Sequence, residues 1–272
     1  MRKIIHITTL FVLLLSAGPM KAQNEAKEPW CDVDFSDTTL VTSELFRLQM
    51  LNELYLNTAV DDLAQFDSLS IQSIDNLLDK AKVNMRVYEY VLEFMLNGYT
   101  NMGRTLVVDY LLNYPMLFEG EIAMAEGLRL DSITEPYQLV KVGSKAPDFI
   151  GVTIDGNAYQ LYGSQALHTI VVFWSTDCEY CHDFLVQIRK HLDLESEYEL
   201  VTFALAESEE EVGKAVKKMR LPGYHFYDAL RWDNKAFLDY HVTSTPTVFV
   251  LDENKTIVCK PYDWKDLKEW LK

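Results

Sequence analysis

The stretch that decides the fold is Phe173-Trp174-Ser175-Thr176-Asp177-Cys178-Glu179-Tyr180-Cys181-His182. The β-branched, apolar run Thr169–Trp174 is typical of a buried strand, and we expect a helix to follow from Cys178 towards Leu192. A helix N-terminus presents unpaired amide N–H groups and partial positive charge, which stabilise a thiolate at its first cysteine. The stretch therefore predicts a dithiol in which Cys178 attacks a substrate disulfide and Cys181 resolves the mixed disulfide.

A second element far along the chain supports this prediction. The segment Thr243-Ser244-Thr245-Pro246-Thr247 leads directly into an apolar strand, Val248–Leu251. Proline cannot donate to a strand ladder, so its position at the start of this strand indicates a tight turn with a cis peptide bond. Such a turn leaves the carbonyl and N–H of Thr245 free to pair with a substrate backbone.

The order of elements from residue 142 to residue 272 predicts a mixed sheet covered by helices. An Asp155-Gly156 hairpin precedes the buried strand, and acidic residues in the first turn favour a helix after Ser208. The remaining predicted elements are strands at Leu200–Leu205, Val248–Leu251 and Thr256–Lys260, a short helix around Lys235–Tyr240, and a closing helix from Asp263.

The preceding segment, residues 41–136, has almost no strand signal and predicts a mostly α-helical domain. Apolar stripes of this kind either line a ligand groove or form the core of a small bundle, and we expect the core. The stripes are Leu45, Leu48, Leu51 and Tyr55; Ile74, Leu77, Leu78 and Ala81; Val87, Tyr88, Val91, Leu92 and Met95; and Leu106, Val107, Tyr110 and Leu111.

The first 22 residues predict a secretory signal peptide, because Arg2 and Lys3 precede a short apolar run that ends near Gly18 and Pro19. Residues 23–40 then form a tail or linker. We therefore expect an exported, periplasmic or cell-envelope protein that is not inserted in the membrane after cleavage. Its cysteines would meet an oxidising compartment, where thiol pairs form disulfides.

At this point the sequence resembles the thioredoxin superfamily, in particular the exported TlpA/ResA-like thiol–disulfide oxidoreductases. The resemblance runs from Val142 to the C-terminus, and a weaker one covers the helical segment. It implies an α/β thioredoxin-like fold preceded by a helical domain, with protein thiols and disulfides as partners. It also implies that Thr245, Pro246 and Trp174 contact the substrate, and that the Cys178–Cys181 disulfide is the only redox group, with no metal.

Two positions depart from this family's pattern. Where the family often has a glutamate three residues after the second cysteine, this chain has Phe184. Where thioredoxins have a buried aspartate two residues before the tryptophan, it has Val172. Glu179 or Asp183 would then have to tune proton transfer instead.

Composition narrows the function classes further. The 272 residues are 49% hydrophobic and carry a formal net charge of −16, which argues against a fibrous chain, a disordered chain and a nucleic-acid binder. The four cysteines are too few for a disulfide-scaffolded miniprotein. Cys31 and Cys259 are interpreted as structural, and whether they pair stays open.

Four other interpretations stay open. Residues 178–182 fit Cys-x-x-Cys-His, a haem-attachment pattern with His182 as the axial ligand. A zinc site would need a second pair of ligands, and a peroxidase would need a proline at Val171. In the fourth, the helical half recognises a partner and the protein is a binding module in which the dithiol is incidental.

The direction of the reaction follows from the residues beside the first cysteine. Glu179 is adjacent to Cys178 and disfavours its thiolate, opposing the helix dipole. A less stabilised thiolate makes the reduced form less favoured, which predicts a disulfide reductase. A reductase in an oxidising compartment needs electrons, so we expect a membrane thiol donor.

Overall fold

The structure is a computed structural model that describes residues 30–55, 62–114, 122–192 and 197–271, with residues 122–129 described as backbone only. Phe35–Lys272 forms one compact unit. The predicted signal peptide and residues 23–29 of the predicted tail lie outside the described residues, and the boundaries assigned to the helical and thioredoxin-like domains remain predictions. Within the described part of the chain, no helix is both long and apolar enough to cross a membrane.

The first part of the unit is helical, as expected. Asp62 and Asn84 begin two of its helices by accepting hydrogen bonds from backbone N–H groups with their side chains. Pro136 lies inside the last of these helices, which continues past the proline to Leu139. After a 3₁₀ turn at Thr38–Thr42, the helices are α1 (Glu44–Tyr55), α2 (Leu63–Ala81), α3 (Met85–Asn101), α4 (Thr105–Leu112) and α5 (Ile122–Leu139).

The stripe predicted for α1 does not form its buried face. Leu45, Leu48 and Tyr55 are exposed by 69%, 50% and 59%, and α1 instead buries Phe46, Met50, Glu53 and Leu54. The prediction was wrong because α1 carries apolar residues on two sides, so that periodicity fits either side equally well. The predicted stripes of α2 and α3 are buried, and on α4 only Leu106 is exposed.

The second part of the unit contains seven strands and four helices among the described residues. They are β1 (Ile150–Val152), β2 (Ala158–Gln160), β3 (His168–Ser175), α6 (Glu179–Leu192), β4 (Tyr198–Leu205), α7 (Glu209–Met219), β5 (Tyr224–Tyr227), α8 (Lys235–Asp239), β6 (Thr247–Leu251), β7 (Ile257–Cys259) and α9 (Trp264–Trp270). The strands β1 and β2 pair as a hairpin around the predicted Asp155-Gly156 turn.

The main sheet is mixed, in the order β5-β4-β3-β6-β7. β3 pairs in parallel with β4, and β4 with β5, whereas β6 is antiparallel to both β3 and β7. The end of β3, the start of β6 and the end of β7 therefore lie at one edge. The edge strand β5 was missed by sequence analysis, because four residues are too few to show an alternation.

Side chains of the central strand alternate between two hydrophobic layers. Val171 and Phe173 belong to the layer that contains residues of α8 and the hairpin. Ile170, Val172 and Trp174 belong to the layer that contains residues of α6, α7 and α9. The fold expected from sequence, a mixed sheet flanked by helices and preceded by helices, is confirmed.

One buried carboxyl in the helical part generates a prediction. Glu53 is 8% exposed, and its Oε1 has no hydrogen-bond partner among the described residues. Burial raises the pKa of Glu53 above its ordinary value of 4.5. As pH rises from about 4.5 through this raised value, the unfolded chain ionises first, and stability falls.

Glu53→Gln should therefore match the wild-type unfolding free energy near pH 4 and exceed it by about 1 kcal/mol at pH 8. Urea unfolding at a series of pH values measures this difference. The matched control is Glu93→Gln, since Glu93 is exposed on α3. Equal pH dependence of the two variants would contradict the argument.

Candidate active site

Cys178 lies between the end of the buried strand β3 and the first residue of α6. Its N–H donates to the carbonyl of Ser175 at 3.2 Å, and Thr176 N–H donates to Leu205 at 3.0 Å, which ties the loop to β4. Cys178 and Cys181 form a disulfide with their Cα atoms 5.2 Å apart. The N–H of Cys181 donates to Cys178 Sγ at 3.1 Å. The Cys181 amide belongs to the first turn of α6, where N–H groups have no carbonyl partner within the helix. It therefore points at the sulfur that would carry the negative charge.

The two sulfurs differ in their access to water. Cys178 is half-buried, whereas Cys181 is fully buried and belongs to the same hydrophobic layer as Trp174 and Phe184. Burial on α6 recurs at Cys181, Phe184, Leu185 and Ile188, the spacing of one helix face. Only the sulfur of Cys178 is placed to meet a bulky disulfide.

The carboxylates proposed to tune the dithiol do not lie on the face of Cys181. Glu179 and Asp183 are both exposed, on the solvent side of α6. The two positions where the family pattern has acids, Val172 and Phe184, are buried and apolar. None of these four residues therefore brings a carboxylate beside Cys181.

His182, the axial ligand in the haem interpretation, packs against Trp174. Its ring lies edge-on to the ring of Trp174, with the centroids 5.7 Å apart. His182 Nε2 and Trp174 Nε1 are both buried without a hydrogen-bond partner among the described residues. The His182 ring is thus packed beside the dithiol with its Nε2 buried, whereas the haem interpretation needs a ring nitrogen that is accessible to the iron.

The proline turn lies at the same edge of the sheet as the dithiol. The Thr245–Pro246 peptide bond is cis. Thr247 pairs with Phe173 in the sheet, so that Pro246 comes beside the end of β3. Within the described residues, the N–H and carbonyl of Thr245 make no backbone hydrogen bond. The structure thus brings Thr245 and Pro246 to the end of β3, next to the loop that holds Cys178, whereas the Trp174 side chain is fully buried and is not open to a substrate.

A residue that sequence analysis did not single out holds the loop before Cys178. The Thr176 hydroxyl donates to Glu211 Oε1, and Glu207 N–H donates to Glu211 Oε2 at 3.2 Å. Glu211 itself is positioned because Ser208 caps α7 and accepts from the Glu211 N–H. The Ser208-x-x-Glu211 spacing is a capping-box signal in the sequence, although it gives no hint of the bond to Thr176.

The helical part contacts the proline turn directly. Thr243 Oγ1 donates to Asn97 Oδ1 at 3.0 Å and to Asn101 Oδ1 at 3.1 Å, and Ser244 Oγ donates to Asn101 Oδ1 at 2.9 Å. Asn97 and Asn101 lie one turn apart on α3 and were not predicted as site residues. No local sequence signal connects positions about 140 residues apart.

The other two cysteines are free thiols. Cys31 is exposed, and Cys259 is half-buried in β7. Burial, with a smaller contribution from the charge of Asp266, raises the pKa of Cys259 to about 11. Cys259 is therefore held as an inert thiol at neutral pH.

The comparisons with known proteins agree with this site. Residues 141–262 match the Redoxin family. Over 121 residues, 43% of this chain, it is 28% identical to thioredoxin-like protein YneN from Bacillus subtilis and covers 69% of that protein. Residues 141–262, somewhat less than half of the chain, are therefore similar to Redoxin and thioredoxin-like proteins. The resemblance seen in the sequence is thereby confirmed, and the match to this family indicates an oxidoreductase.

Solved structures show how far the thioredoxin-like fold extends. A thioredoxin-like protein from Bacteroides caccae aligns with 89% of this chain and 88% of its own, with a TM-score of 0.55 and 18% identity. This similarity covers the helical part as well as the sheet, and it concerns the fold alone. The thioredoxin domain of a thiol-disulfide oxidoreductase from Bacteroides vulgatus aligns with 48% of this chain and 94% of its own, with a TM-score of 0.44 and 20% identity.

The different access of the cysteines predicts their order of alkylation. In the reduced protein, iodoacetamide should modify Cys178 at least about tenfold faster than Cys181 or Cys259, because only Cys178 combines access with a helix-terminal amide donor. Peptide mass spectrometry at limiting reagent measures the three rates, with exposed Cys31 as the reference thiol. Labelling of Cys181 as fast as Cys178 would contradict the assignment.

Proposed function

We propose that this protein is an exported thiol–disulfide reductase acting through the Cys178/Cys181 dithiol. The observation that carries the proposal is the hydrogen bond from the Cys181 N–H to Cys178 Sγ at the start of α6. It lies at the sheet edge where the unpaired backbone of Thr245 and the cis bond to Pro246 are also found. A helix amide stabilises the attacking thiolate, and the free backbone groups align the substrate.

The reaction has two exchange steps. The Cys178 thiolate attacks one sulfur of the substrate disulfide, which breaks the S–S bond and releases the other sulfur as a thiolate that takes a proton from water. Cys181 then loses its proton, and its sulfur attacks Cys178 Sγ. This second step releases the substrate as a dithiol and leaves the Cys178–Cys181 disulfide, so two electrons pass from the protein to the substrate.

The charges around Cys178 favour reduction rather than oxidation. Asp177 and Glu179 flank the cysteine on both sides and are exposed. Both oppose formation of a negative sulfur, although water screens part of their effect. The reduced form is then less stabilised than in a strong oxidant, so the dithiol gives up electrons more readily.

The proposal also fixes the compartment and the partners. The signal peptide predicted from the sequence supports a location in the periplasm or cell envelope, and we propose protein disulfides as the substrates. After each cycle the disulfide must be reduced again, and a membrane thiol protein is the expected donor. The chemistry requires no cofactor other than the Cys178–Cys181 disulfide.

The order of attack makes a direct prediction. Cys181→Ser should accumulate mixed disulfides, since the first step proceeds and the second is blocked, whereas Cys178→Ser should lose at least about 10³-fold in insulin-disulfide reduction. Turbidity of insulin and non-reducing electrophoresis measure the two effects. Retained insulin reduction by Cys178→Ser would show that another thiol is the nucleophile.

The direction of electron flow has its own test. The Cys178/Cys181 couple, equilibrated with glutathione buffers, should have a potential close to that of thioredoxin, about −270 mV. The fraction of disulfide is read by mass spectrometry after alkylation. A potential near −120 mV, typical of strong oxidants, would overturn the proposed direction while leaving the dithiol chemistry intact.

A further inference from the structure

A groove of about 440 Å³ lies between the helical part and the loop after β7. Most of its lining is apolar and comes from α1, from the end of α3 and from Tyr262. Its volume is in the range of sites that enclose a small ligand or one or two large side chains, roughly 300–1,000 Å³. The lining residues are Leu51, Leu54, Tyr55, Phe94, Asn97, Gly98, Asn101, Met102 and Tyr262.

The groove accounts for part of the second apolar side of α1. Leu51 and Tyr55 of that side line the groove, together with the buried Leu54, whereas Leu45 and Leu48 do not. Tyr55 is 59% exposed. Across the groove, Tyr262 is 53% exposed. Large apolar side chains gathered around a concave surface, and left open to water, mark a place where another molecule binds.

The groove is continuous with the proline turn. Asn101 lines the groove, and its Oδ1 accepts hydrogen bonds from the hydroxyls of Thr243 and Ser244, the two residues before Thr245. Tyr262 lines both the groove and a smaller cleft whose other wall includes Pro246. A substrate backbone paired with Thr245 therefore continues into the groove without leaving the protein surface.

Charge defines the occupant further. Asp177, Glu179 and Asp183 are exposed around the dithiol. Two more carboxyls adjoin Tyr262 on the wall of the groove: Asp263 is the next residue, and Asp266 Oδ2 accepts from the Tyr262 N–H at 3.3 Å. The pKa of Tyr180, the residue before Cys181, is raised by burial and then by Asp263, Tyr262 and Asp266, in agreement with this position. A basic segment is attracted to this acidic border.

We propose that the groove binds an apolar side chain in an extended, basic segment of the substrate protein, next to the cysteine that reacts with Cys178. This inference rests on the proposed reductase function and adds its substrate class. The dithiol supplies the exchange, Thr245 aligns the substrate backbone, and the groove of α1 and α3 selects the segment by its apolar side chain.

The test uses 12-residue, lysine-containing peptides whose single cysteine carries 5-thio-2-nitrobenzoate in a mixed disulfide. Cys178 attacks the peptide sulfur, and the yellow thionitrobenzoate leaves. One leucine is placed at successive offsets of two to eight residues from the cysteine, and the matched peptide has serine there. Pre-reduced protein is mixed with increasing concentrations of each peptide, and the rate of thionitrobenzoate release is followed by its absorbance. The peptide concentration that gives half of the maximal rate is the half-saturating concentration.

At the best offset, the leucine peptide should reach half-saturation at a concentration at least about tenfold below that of the serine peptide. Leu51→Asp should abolish this preference. The matched control, Leu48→Asp, should keep it, since Leu48 lies on the same helix, is 50% exposed and does not line the groove. Tyr262→Ser, which changes the opposite wall, should reduce the preference independently if Leu51→Asp fails to fold.

Other outcomes distinguish the proposed groove from the proposed reductase function. In protein that carries Cys31→Ser, which removes the exposed free thiol, reduction of 5,5′-dithiobis(2-nitrobenzoate) that does not depend on Cys178 would remove the reductase proposal itself. Normal reduction of that reagent with no leucine preference at any offset would overturn the groove and leave the reductase standing. Concentration-dependent dimerisation that Leu51→Asp abolishes, with peptide preference unchanged, would assign the groove to a second copy of the chain instead.

Discussion

The attacking sulfur needs a helix N-terminus that stays in one place, and the buried strand β3 fixes it there. All six side chains from Thr169 to Trp174 are shielded from water. They point alternately into the two hydrophobic layers, so the strand is packed on both faces at once. In the loop that follows, the Thr176 N–H donates a hydrogen bond to the Leu205 carbonyl of β4, and the Thr176 hydroxyl donates to Glu211. The position of Cys178 is therefore set by the core rather than by the flexible surface.

The same constraint brings the substrate-contact loop to the dithiol. Because β6 runs antiparallel to β3, the start of one strand meets the end of the other, and Pro246 reaches the edge where Cys178 lies. In the helical part, α3 contacts this loop through Asn97 and Asn101. Neutral hydrogen bonds of this kind each contribute only about 1 kcal/mol, so they orient the loop without making it rigid.

Local signals in the sequence were enough for most of the C-terminal part. The apolar run of β3, the Ser208 cap and the proline turn each act within a few residues, and the structure has each of them at the expected place. Contacts across long sequence distances were out of reach, such as those of Asn101 with Ser244. The face of α1 was also undetermined, because Phe46, Met50 and Leu54 are spaced as helically as the stripe that was predicted. Only packing in three dimensions selects between two apolar sides of one helix.

The apolar surroundings of Cys181 connect the site chemistry to the groove. Val172 and Phe184 occupy the positions where an acid would accept the proton of the resolving thiol, and both are buried. An apolar environment disfavours the charged form of any thiol. The second exchange step also has no carboxylate at these two positions to assist it. A mixed disulfide that waits for this step must be kept in the right orientation meanwhile. Binding energy from a neighbouring segment of the substrate does this, since a held reactant needs no further ordering when the second attack begins.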